Sequence, residues 1–169
     1  MKNKMAFAAL FAGALFMVGC GQQDKEANKP AAQAAAAPAA LPVPPSGDTQ
    51  AWKQYLVNVA KRNLEGIRNS PYMYYLPAAD AADFDEQYTR QLDNVAGSVA
   101  RGVLPGNMLA FGSPASSRMA DLIVEAFQHV QAGAMKDVRV LFIGNTEDLE
   151  RVKAAVEPSG ANLVFHEAK

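Results

Sequence analysis

The chain has 169 residues, half of them apolar, with 16 Lys and Arg against 17 Asp and Glu, two His and one Cys. A near-neutral charge without a basic stripe argues against a nucleic-acid binder, and no run of like charge is long enough for an acidic tail or a polybasic membrane patch. A single cysteine leaves no internal disulfide and no thiolate metal site, so stability must come from an apolar core, and the length allows one such core.

The first element is a leader. Lys2 and Lys4 precede an apolar run from Ala6 to Val18. About 13 residues is too short to span a bilayer, which takes roughly 17–25. A basic head, an apolar middle and a small-residue end have the layout of a secretory signal. The run ends in Val18-Gly19-Cys20, which resembles the lipobox of bacterial lipoproteins, with Met17 where that family prefers leucine. The resemblance covers the first 20 residues. It implies a diacylglyceryl group on the Cys20 thiol, cleavage before Cys20 and acylation of the new amino terminus. The alternative is an unmodified cysteine after an apolar helix. Two or three acyl chains anchor stably where one is marginal, so the membrane becomes a partner through Cys20 without a spanning helix. Asp after the cysteine retains such proteins in the inner membrane. Gly21 and Gln22 follow here, which implies the outer membrane, facing the periplasm. Loss of residues 1–19 takes away Lys2 and Lys4 and lowers the formal charge from −1 by two, to −3.

Residues 20–47 read as a tether rich in alanine and proline, with an extended limit of roughly 80 Å at about 3.1 Å per residue. The domain expected after it covers residues 48–169. A first amphipathic helix is expected from Asp48 or Thr49, with Trp52, Tyr55, Leu56, Val59, Leu64 and Ile67 at three- and four-residue steps, ending at Asn69-Ser70-Pro71. Pro71 to Pro77 holds three of the five tyrosines, Tyr72, Tyr74 and Tyr75. It reads as an extended segment packed along the domain, or as a partner-binding surface, since tyrosine joins apolar area to a hydroxyl. A second helix is expected over about 82–101, with Phe84, Tyr88, Leu92, Val95 and Val99 inward.

The remainder alternates. Met108–Gly112 reads as a strand, and Ser113-Pro114 as the cap and first position of a helix with Met119, Leu122, Ile123, Ala126, Phe127 and Val130 inward. Val138–Ile143 reads as a strand buried on both faces. Gly144-Asn145-Thr146 leads into a helix with Leu149, Val152 and Val156 inward, and Asn162–His166 is a last strand. The expected fold is α/β: two helices followed by a β-α-β-α-β unit with a small parallel sheet, whose exposed edges invite an added strand or a partner.

In open parallel sheets ligands bind beyond the carboxyl ends of the strands. That edge collects Ser113, Ser116, Ser117, Asn145, Thr146 and His166, whose hydroxyl, amide and imidazole groups beside helix starts suit a small anion. The same residue types serve as plain helix caps. No G-x-S-x-G, Walker A or G-x-G-x-x-G pattern occurs. His129 and His166 lie on different elements, and the Asp83, Asp85 and Glu86 group lacks the glycine spacing of a calcium loop, so no metal and no cofactor is expected. The function expected is a non-catalytic, lipid-anchored envelope protein that binds or scaffolds another periplasmic or outer-membrane component. A small-anion or small-ligand module using the carboxyl edge is the alternative, and a serine hydrolase there lacks a matching base.

Overall fold

In a computed structural model, residues 41–169 are described. The expected leader, residues 1–19, and residues 20–40 of the expected tether, Cys20 among them, lie outside the described residues. Helix α1, Thr49–Arg62, starts where the Asp48 carboxylate accepts the Ala51 N–H at 2.9 Å. Trp52, Tyr55, Leu56, Val59 and Ala60 form its buried stripe. The helix stops short of the expected end. The Asn63 side-chain amide donates to the Val59 carbonyl at 2.9 Å, and Gly66 at φ +76° turns the chain. Ile67 still packs on the same core from outside the helix, while Leu64 is exposed.

The Pro71–Pro77 segment contributes strand β1, Tyr72–Tyr75. Helix α2 follows at Phe84–Ala100, then β2 at Met108–Gly112, α3 at Ser116–Phe127, β3 at Arg139–Gly144, α4 at Thr146–Val156, a 3-10 turn at Glu157–Ser159 and β4 at Asn162–Glu167. Among the described residues the fold is mixed α/β, with four helices and a four-stranded parallel sheet in the order β1-β2-β3-β4. The sheet therefore has one strand more than periodicity suggested. Tyr74 and Tyr75 of β1 are both buried because they face opposite sides of a sheet covered on both.

One face carries α2, α3 and α4 over Leu109, Phe111, Val140 and Phe142. The other carries α1 over Met108, Ala110, Leu141 and Ile143. Leu41 and Val43 are half-buried against that second face, so the packed body begins before Gly47, inside the stretch expected to be tether. Two local expectations need correction. Helix α3 begins at Ser116, not after Ser113, because the Ser113 hydroxyl accepts the Ala115 N–H at 2.9 Å and closes a two-residue turn first. In α4 the position facing inward with Val152 and Val156 is Asp148, and Leu149 is only half-buried.

Candidate functional site

The carboxyl ends of β2 and β3 bring the loops before α3 and α4 together. Gly144 makes their approach possible. A Cβ there would stand 2.5 Å from both the Ser116 Oγ and the Phe142 ring, inside any van der Waals contact. Ser116, at the first position of α3, is buried, and its hydroxyl donates to Asp148 Oδ2 at 2.6 Å. The same oxygen accepts the Asn145 backbone N–H at 2.8 Å. One hydroxyl thus ties α3 to the entry of α4.

Asp148 is 4% exposed and spends its other oxygen on Arg151, one turn further along α4, which donates from Nε at 3.1 Å and from Nη2 at 2.6 Å. Arg151 also donates to the Ser117 carbonyl at 2.7 Å and hydroxyl at 3.0 Å, and pairs with Asp121. Burial alone would lower the Arg151 pKa, but the hydrogen bonds to Asp148 and Asp121 hold it above its ordinary value. The guanidinium therefore stays charged, and the cluster joins α3 to α4 by charge-assisted bonds. Asp121 lies near a second cation, Arg118, at 3.4 Å.

The other expected site residues are dispersed. Ser113 is fully buried, and its hydroxyl points to the Pro77 carbonyl at 3.4 Å. Asn145 is the α4 cap residue, yet its exposed side chain makes no capping bond. Thr146 donates to Glu167 at 2.9 Å. Contacts from Lys169 first and Thr146 second hold the Glu167 carboxyl below the ordinary carboxylate range. His166 pairs with Ile143 in the sheet and so lies on the α1 face, away from Ser116. Its Nε2 is 3.1 Å from the Tyr55 hydroxyl, and Trp52 meets the Tyr55 ring edge-on at 5.5 Å. Burial, with Arg62 as the lesser cause, pushes the His166 pKa below 6.5.

The three tyrosines of β1 separate as well. Tyr72 is 49% exposed, whereas Tyr74 stacks on Phe111 at 5.0 Å, and Tyr75 lies under α1 with its hydroxyl 3.5 Å from the Thr49 Oγ1. Among the described residues no three His, Cys, Asp or Glu side chains gather as a metal site, and no helix is long and apolar enough to cross a membrane.

Sequence reasoning named Ser116 but missed Asp148, Arg151 and Asp121. One signal was present: Asp148, Val152 and Val156 fall at four-residue steps, which puts the carboxylate on the buried stripe. Compared with protein-family models, curated proteins and solved structures, the chain matches none.

Proposed function

We propose that this chain is a lipid-anchored cell-envelope protein, held in the outer membrane through Cys20 and facing the periplasm, whose α/β domain binds or scaffolds another envelope component without chemistry of its own. The lipobox-like Val18-Gly19-Cys20 supports the anchor. The observation that carries the non-catalytic half is the closed Ser116–Asp148–Arg151 cluster. The serine that a nucleophile or an anion site would need gives its proton to Asp148 and its lone pair to the Asn145 N–H. A nucleophilic serine needs a base able to take that proton toward substrate. Here the acceptor is itself held by Arg151 and serves to join two helices. The same closure weighs against the small-anion alternative. In this reading the first two helices of the domain, α1 and α2, flank the part of the sheet offered to a partner.

The test is mass spectrometry of the full chain expressed in a Gram-negative host, combined with crosslinking in intact cells. The expected species begins at Cys20 and carries a diacylglyceryl thioether, with or without an added amide-linked acyl chain, and an envelope protein crosslinks to the body. A chain found with Cys20 unmodified, or recovered from the cytosol, ends the reading.

A further inference from the structure

The sheet has two outer strands, and they differ in what lies beside them. Along the outer side of β1 runs an open cleft of about 400 Å³. Its walls come from opposite faces of the sheet: Lys53 and Val57 of α1 on one side, Gln87 and Arg90 of α2 on the other. Met73 and Tyr75 form its floor. The Tyr75 carbonyl points into it, since it accepts the Gln91 side-chain amide at 3.1 Å. Backbone direction alternates along a strand, so the Met73 N–H and carbonyl point the same way. Among the described residues nothing outside the sheet bonds to them. A side-chain amide thus occupies one site of an unfinished ladder, and the next site is open.

The charge of this cleft says what fits. No acidic residue lines it, and two cations do. Lys53 makes no ion pair among the described residues and lies 5.5 Å from the centre of the Tyr75 ring. Among the described residues Arg90 pairs with the exposed Glu86, at 3.6 Å, which does not line the cleft. The cleft beside β4 lacks this bias, because it is lined by Glu157 as well as Lys153, which pair with each other, and Lys169 pairs with Glu167.

We propose that the β1 edge receives an extended, acidic segment of a partner protein as a fifth strand. Its backbone pairs with Met73, its apolar side chains rest on Val57 and Tyr75, and its carboxylates meet Lys53 and Arg90. Main-chain bonds supply affinity in this mode of recognition, and the flanking side chains supply selectivity. This rests on the envelope-binding reading above and gives it a surface and a partner chemistry.

The test uses the full chain in detergent micelles, isotopically labelled, titrated with a short capped peptide alternating valine and glutamate and with its lysine counterpart. The glutamate peptide shifts the Met73 and Tyr75 amide signals, and the lysine peptide binds about tenfold more weakly. Lys53→Glu combined with Arg90→Glu, two exposed positions, reverses that preference. Met73→Pro removes the outward N–H, a change edge strands tolerate, and abolishes the shifts while thermal unfolding stays cooperative. Peptides that bind equally, or shifts that spare Met73 and Tyr75, overturn the assignment. So does a concentration-dependent dimer that Met73→Pro dissolves, because the occupant is then a second copy. If Cys20 is lipidated and an envelope partner still crosslinks to the edge variants, the edge assignment falls and the envelope reading stands. An unmodified Cys20 removes that reading, while the titration still decides the edge.

Discussion

Two polar clusters lie at the same end of the sheet, on opposite faces, and they are finished to different degrees. Under α3 and α4, Ser116, Asp148 and Arg151 satisfy one another, and the ring of bonds closes through Ser117 and Asp121. Under α1, Tyr55 and His166 share one bond, and the buried Trp52 indole N–H beside them has no acceptor among the described residues. Low local polarity strengthens a completed network and penalises an incomplete one. The first cluster is therefore a clamp between helices. The second is a spot where the polar His166 ring is tolerated because it is only half-buried.

The comparison is broken most sharply at Asp148. Replacing it with Ala leaves the Ser116 hydroxyl buried without its acceptor and Arg151 without the carboxylate that takes two of its N–H groups. Removing one member of a buried ion pair costs about 3–5 kcal/mol, and partial solvation of Arg151 brings the expected loss to about 2–3 kcal/mol. Urea unfolding of the full chain in micelles reads this as a lower midpoint at unchanged slope. A loss under about 0.5 kcal/mol, typical of surface positions, would show the clamp to be decoration.

Ser116→Ala comes next. It deprives both Asp148 and the Asn145 N–H of a partner while leaving the ion pair, for an expected loss of about 1–2 kcal/mol. Its counterpart across the sheet, Tyr55→Phe, removes the one bond to the half-buried His166 ring and is expected to cost about 0.5–1 kcal/mol. If the two substitutions cost the same, the difference between the clusters is not energetic.

The sequence made this difference only partly legible. Long periodic stretches were readable because burial of a stripe leaves a spacing, as with Met119, Leu122, Ile123, Ala126 and Phe127. The nearly continuous apolar run of β3 was readable for the same reason: helices cover it on both faces. β1 was not, because the five residues between Pro71 and Pro77 carry too short a pattern to separate a strand from an extended loop. The carboxyl-edge residues were placed by topology, yet whether Ser116 faced solvent or another side chain depended on Asp148, 32 residues away. A polar residue on a buried stripe announces that it has a partner without naming it.

The finest distinction is electrostatic and belongs to His166. Burial, and secondarily Arg62, disfavour its charged form, so its folded-state pKa lies below 6.5 while the unfolded chain keeps the ordinary value. Between the two values the unfolded state binds more protons, and stability then rises with pH. The stabilisation is fully present above the unfolded-state value, declines as pH falls below it, and levels off beneath the folded-state value. The Glu167 carboxyl, also lowered, titrates at lower pH and leaves this window clear. Urea midpoints at about pH 7.5 and about pH 5.5 should therefore differ more for the native chain than for His166→Gln, which keeps a side-chain acceptor for the Tyr55 hydroxyl but cannot take up a proton. Identical differences in the two proteins would mean that the ring is solvated as freely in the folded chain as in the unfolded one, and the contrast with the Ser116 cluster would then reduce to hydrogen bonding alone.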